Sequence, residues 1–266
     1  MNAVTQARQR FLKEYRHIRR AEGRGSDSAD YYQALPFRDL SGRSPAMWRM
    51  RAQTYSWFER KVLLPLERRK AGPLDVLDLG AGNCWLSNRL CLRGHRPVAV
   101  DIFPDNRDGL GAARHYEHRF PTIEADFDYL PLPSRSFDLV VFNASLHYST
   151  DYVRTLSEAR LCLRPSGLVV VLDSPIYRQS EHGIRMVKEK HTRFLQEYGF
   201  RSDALPSLEF LDFGTIRFLR QALAIRWQIF KPWYGWRWHL RPLQAWLRKR
   251  RPPSRFWILV GRFQSL

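Results

Sequence analysis

The run Val76-Leu77-Asp78-Leu79-Gly80-Ala81-Gly82-Asn83-Cys84-Trp85 joins a continuous apolar stretch to a glycine turn and then to helix-forming residues. Glycine admits backbone angles closed to other residues and lets a ligand approach the main chain closely. A strand ending in such a turn therefore suits a nucleotide-like ligand outside its carboxyl end. The spacing narrows the choice. A dinucleotide fingerprint needs a small residue at the third position of GxGxxG, where this chain has the bulky Trp85, and no GxxxxGK[ST] phosphate loop occurs.

A carboxylate ends the next apolar run, Ala99-Val100-Asp101, where it can accept hydrogen bonds from both hydroxyls of a ribose. A third run ends in Glu124-Ala125-Asp126-Phe127, which offers an acceptor for an exocyclic amine and an apolar surface for a ring. Three successive strands thus end in groups suited to one adenosine ligand.

These groups need a scaffold. From Leu74 onward short apolar runs alternate with helical segments, the pattern of a parallel sheet covered by helices on both faces. The periodicity predicts strands at 74–79, 97–102, 122–125, 137–143 and 168–173, with helices near 83–93, 107–117, 151–163 and 182–198. Residues 1–24 read as a basic helix with Phe11, Tyr15 and Ile18 at helical spacing, an appendage followed by a flexible run. A second helix spans 44–70, with Ser44 as cap before Pro45. Toward the end, 214–223 reads as helix and 225–231 and 256–263 as strands, which makes 232–254 an insertion between them.

Composition sets outer limits. The 266 residues are 44% apolar and 26% charged, enough for a substantial core without metal or disulfide. Cys84, Cys91 and Cys162 have neither the number of a disulfide framework nor the spacing of a zinc site, so no metal is expected and a reducing, cytoplasmic setting fits. No stretch approaches the apolar length of a membrane span, and residues 1–24 lack the apolar centre of a secretion signal. The formal charge of +18 is uneven: Asp212 is the last acidic residue of the chain. Such asymmetry favours anionic partners.

With these residues in place, the segment from about Leu74 to Pro175 resembles class I S-adenosylmethionine-dependent methyltransferases, the small-molecule branch that includes quinone-biosynthesis enzymes. Leu130-Pro131-Leu132, Ser136-Phe137-Asp138-Leu139-Val140, Asn143 to His147, and Leu163-Arg164-Pro165-Ser166-Gly167 carry the likeness beyond the glycine turn. Cys84 departs from it, since many members have a third glycine there. The resemblance implies a doubly wound, Rossmann-like seven-stranded α/β sheet over residues 71–266. Residues 1–70 become an N-terminal helical extension and lid, in which Arg51 would meet the cofactor carboxylate. It further implies S-adenosyl-L-methionine as cofactor, with Asp78, Gly80, Ala81, Gly82, Asn83, Asp101, Ile102, Asp126, Phe127 and Asn143 as its binding residues.

Methyl transfer from a sulfonium is an in-line displacement, so positioning is the main task and a general base helps where the acceptor must lose a proton. His147 and Tyr148, after the fourth strand, are the candidates for that role. The acceptor is expected to be a small or lipid-like molecule. The insertion KPWYGWRWHLRPLQAWLRKRRPPSR packs tryptophans among arginines, which suits either the wall of an acceptor pocket or an anionic membrane surface, to which a cytoplasmic enzyme would be peripheral. Nucleic acid ranks third, since no recognised binding motif accompanies the charge and the fourth strand continues Asn143-Ala144-Ser145-Leu146 rather than Asn-Pro-Pro-Tyr. A non-catalytic module on the same fold is the reading from a different class.

Overall fold

The computed structural model describes residues 3–264. Its centre is a seven-stranded sheet of β1 (Asp75–Leu79), β2 (Arg96–Asp101), β3 (Thr122–Glu124), β4 (Phe137–Asn143), β5 (Leu163–Leu172), β8 (Ile225–Phe230) and β9 (Ile258–Phe263), in the order β3-β2-β1-β4-β5-β9-β8. The first five run parallel; β9 lies antiparallel between β5 and β8. A pair of two-residue strands, β6 (Ile176–Tyr177) and β7 (Leu211–Asp212), forms a separate ribbon that the sequence did not signal, being too short for any periodicity. The chain leaves β1 toward β2 on one side and reaches β4 on the other, so the strand order reverses there and opens a crevice at their carboxyl ends.

Both faces of the sheet are covered. Val76 packs with α3 (Pro45–Phe58) and α5 (Trp85–Leu92), whereas Leu77 and Leu79 pack on the opposite face with α6 (Tyr152–Cys162) and α8 (Phe213–Ala222). That alternation is the period of two expected of a strand, here apolar on both sides because both sides are buried. Of the remaining helices, α1 (Ala3–Ala21), α2 (Ala29–Ala34) and α4 (Leu64–Lys70) precede the sheet, and α7 (Ser180–Tyr198) follows β6. The expected helix over 44–70 is interrupted by a π turn at Glu59–Leu63. Short helices α9 (Trp236–His239) and α10 (Arg241–Leu247) lie in the insertion between β8 and β9.

One expected helix is not an α-helix. Over 107–117 the chain makes only a 3₁₀ turn, Leu110–His115. The Asp105 carboxylate accepts from the Arg107 and Asp108 amides, a local turn that competes with helix, and a Cβ on Gly109 would come within 2.1 Å of the Phe103 carbonyl. The close approach keeps this segment against the end of β2 and aims Asp108 at the crevice.

Candidate functional site

A cavity of about 970 Å³ opens at the switch point. Its floor is the turn after β1. Gly80 has φ of +73°, and a Cβ there would lie 2.2 Å from that of Ser145, whose hydroxyl donates to the Leu79 carbonyl. Gly82, with φ of +53°, has no atom nearer than 4.0 Å at its missing Cβ, which leaves its backbone open to the cavity. Cys84 holds φ of +63°, so the residue standing where many relatives of the resembled family have glycine keeps glycine's conformation.

Around this floor stand Gly80, Ala81, Gly82, Asn83, Asp101, Ile102, Asp126, Phe127 and Asn143, all lining the one cavity, together with Tyr148. The Asp101 carboxylate accepts from the Gly82 amide at 2.8 Å and the Phe103 amide at 2.9 Å, tying the ends of β1 and β2 together. Burial pushes its pKa up to about 6 against these hydrogen bonds. The Asn143 side-chain oxygen is buried with no partner among the described residues.

Two candidates lie elsewhere. Asp78 is fully buried behind the floor, because alternation along β1 turns its side chain, like Val76, toward α5, where its carboxylate accepts from the Ser87 hydroxyl at 2.8 Å. Burial raises its pKa to about 7. Asp78 thus ties strand to helix rather than lining the cavity. His147 borders a smaller adjoining cavity of about 200 Å³, with Lys190 and Glu209, and its Nδ1 lies 3.2 Å from the Ser174 hydroxyl. Burial, with Lys190 and Arg51 nearby, lowers its pKa to about 3, so the imidazole is neutral at physiological pH. Burial raises the Tyr148 phenol above its ordinary value, so it keeps its proton.

The N-terminal helix contributes more than an appendage would. Phe11, Tyr15 and Arg19 of α1 line the cavity, with Tyr15 edge-on to Phe103 at 5.2 Å and to Tyr148 at 6.3 Å. Arg19 pairs with Asp108, and Arg16 with Asp105 at 3.2 Å, fastening α1 to the segment after β2. The Phe11 and Tyr15 spacing announced a helix but not that it would be packed over the site. Arg51 of α3 also lines the cavity, 5.1 Å over the Trp48 ring, with its Nε buried and unpartnered and no ion pair among the described residues. Nearby, the Thr54 hydroxyl donates to the buried Asp173 carboxylate at 2.7 Å and lies 2.9 Å from the hydroxyl of Tyr234, from the insertion. Among the described residues no group of three or more His, Cys, Asp or Glu is placed to hold a metal.

Residues 77–171 match the family described as a methyltransferase domain. A crystal structure of an S-adenosylmethionine-dependent methyltransferase from Mesorhizobium loti shares the fold, with a TM-score of 0.52 over 74% of this chain and 96% of that one at 21% identity. Residues 77–171 thus form a methyltransferase domain, on the fold of S-adenosylmethionine-dependent methyltransferases. Its cofactor is accordingly S-adenosylmethionine. The chain is 34% identical over 126 residues to demethylmenaquinone methyltransferase of Thermus thermophilus, covering 45% of this chain and 54% of that one. It is also 31% identical over 97 residues to an arginine-hydroxylase, NDUFAF5, of mitochondria from Rattus norvegicus, covering 36% and 27%. The chain thus spans from about a quarter to about half of the length of these relatives.

Proposed function

We propose that the chain transfers a methyl group from S-adenosylmethionine to a small-molecule or lipid-like acceptor. The observation that carries this reading is the gathering of one set of complementary groups around one cavity. Asp101 offers its carboxylate to the ribose hydroxyls, while Ile102, Asp126 and Phe127 flank the adenine. The open backbone from Gly80 to Asn83 takes the methionyl chain, Arg51 supplies the unpaired cation for its carboxylate, and Asn143 has a free acceptor for its ammonium. When bound, the cofactor supplies an electrophilic methyl carbon on a sulfonium. At about 970 Å³ the cavity is at the upper end of ordinary ligand pockets, with room for a small acceptor beside the cofactor.

The chain's own part is positioning. Phe11, Tyr15, Phe103 and Tyr148 form an aromatic wall that keeps water from the reacting atoms and favours a cation beside the ring faces. Neither catalytic candidate is a strong base: the His147 imidazole binds a proton only below about pH 3, and Tyr148 keeps its own. This favours an acceptor whose nucleophilic atom is already free of its proton, with Tyr148 as a hydrogen-bonding wall and His147 holding the Ser174 side through a neutral ring. His147→Gln should therefore leave the pH profile of kcat/KM unchanged between pH 5 and 8, while Tyr148→Phe lowers kcat/KM about two- to tenfold. Loss of a limb near pH 6.5 in the His147 variant would restore histidine as the base.

The reading is tested by thermal unfolding with S-adenosylhomocysteine and, as control, NAD. A ligand at 100 times its Kd adds about 2.7 kcal/mol, which for a chain of this size raises Tm by roughly 5 to 10 °C. A rise with the first and none with the second is expected; no rise with either favours the non-catalytic module. The arginine-hydroxylase relative gives that check added weight, since it is named for hydroxylation and not for methyl transfer.

A further inference from the structure

The insertion is folded, and its folding sorts its residues. From Trp236 to Leu247 the chain is nearly one continuous helix, with the Leu240 amide bonded to the Trp236 carbonyl and the Gln244 amide to that of Leu240. Trp238 faces inward, 4.8 Å from Tyr234 and 5.8 Å from Phe256, with the Arg241 guanidinium against its ring. Tyr234, just before the helix, donates to the Phe256 carbonyl at 2.7 Å and Arg241 to that of Ser254 at 2.9 Å, so this side is fastened to the segment that leads into β9.

The other side is bare. Trp236, Leu240, Leu243 and Leu247 repeat at the i, i+4, i+7, i+11 spacing that places side chains on one helix face, and all four are exposed, Trp236 by 76% and Leu247 by 66%. Trp246, 73% exposed, borders the stripe. Arg248, Lys249 and Arg250 follow it directly. At the root of the insertion, Arg178, Arg217, Lys231 and Arg255 surround an open basin, with Lys231 and Arg255 about 5 Å from the Trp257 ring; none of the four has an ion-pair partner among the described residues.

We propose that this face docks the protein on an anionic lipid bilayer, the apolar stripe lying at headgroup depth and the basin taking lipid phosphates. The composition of the stripe selects the partner. Single-stranded nucleic acid would use the tryptophans for stacking but has no use for three exposed leucines, whereas an interfacial helix uses both, flanked by cations. No acidic residue follows Asp212 in the chain, and of the cations from Arg248 to Arg251 only Arg251 is paired among the described residues, with Glu189 at 2.6 Å, so the net field of the insertion favours a negative plane. The helix lies on the bilayer rather than crossing it, as no described helix is long and apolar enough to span one. The inference is independent of methyl transfer.

The test is co-sedimentation of the full chain with phosphatidylcholine vesicles, with and without phosphatidylglycerol, at low and high salt. Binding is expected only to the anionic vesicles and weaker at high salt. The variant Trp236→Ser/Trp246→Ser/Leu247→Ser, altered only at exposed positions, should lose about tenfold or more of that binding. Lys231→Glu/Arg255→Glu should lose it as well. The thermal shift with S-adenosylhomocysteine, run on the same variants, should be unchanged, which separates failure of docking from failure of the cofactor reading. Equal binding by wild type and the triple variant would overturn the proposal. So would a dimer that the triple variant dissolves, or retention by single-stranded RNA with anionic vesicles ignored.

Discussion

Asp101→Ala is expected to weaken S-adenosylhomocysteine binding about a hundredfold or more and to remove most of the thermal shift. Two hydrogen bonds to a charged acceptor are at stake, each contributing about 1.5–3 kcal/mol. The carboxylate also holds the Gly82 and Phe103 amides, so its loss loosens the turn that the ligand rests on. Asp101→Asn, which keeps one acceptor oxygen, should fall between. Because burial raises this carboxyl to about 6, the ionised form that accepts from hydroxyls prevails only above that pH. Affinity should therefore be full at pH 7.5 and decline as pH falls through about 6, and the decline should vanish in the Asn variant. Calorimetric titration across that range decides the matter: an unchanged Kd in Asp101→Ala removes the ribose assignment.

Gly80→Ala should be strongly damaging to both fold and site. The residue sits at φ of +73°, where a side chain costs about 1–2 kcal/mol. Its new methyl would meet the Ser145 Cβ at 2.2 Å, which overpacks a closed contact for about 1–3 kcal/mol more. Urea unfolding should show a loss of about 2–5 kcal/mol, and the ligand-induced shift should disappear. Adding Ser145→Gly in the same chain removes the clash and should return part of the stability but not the backbone share. Stability within error of wild type would mean that β1 and β4 do not approach each other this closely.

What could be read from the residues alone follows a physical boundary. The ends of β1, β2 and β4 were legible because strand, turn and ligand groups are adjacent in the chain, so Gly80, Gly82, Asp101 and Asn143 could be placed together before any contact was known. Asp78 belongs to the same motif, yet strand alternation sends it to α5. The role of α1 depends on pairs far apart in sequence, Tyr15 with Tyr148 and Arg19 with Asp108, which no local pattern encodes. The helix expected over 107–117 gave way to the Asp105 turn and the close packing of Gly109. In the insertion the tryptophans were visible as composition, but Trp238 is packed inward and Trp236 points out, a division that only the helix phase and its anchors decide.

The hydroxyl of Tyr234, 2.9 Å from that of Thr54, alters how the insertion should be regarded. A long excursion between two paired strands costs closure entropy, rising about 0.6 kcal/mol for each doubling of length, so this one costs on the order of 2 kcal/mol more than a tight hairpin turn. The bonds at Phe256 and Ser254 offset that cost, and the contact at Thr54 runs it into the polar cluster around Asp173. The excursion is consequently no detachable module. Excising it would spare the entropy but uncover a carboxylate that the rest of the fold keeps dry, so the two strands and the segment between them have to be inherited, or engineered, as one unit.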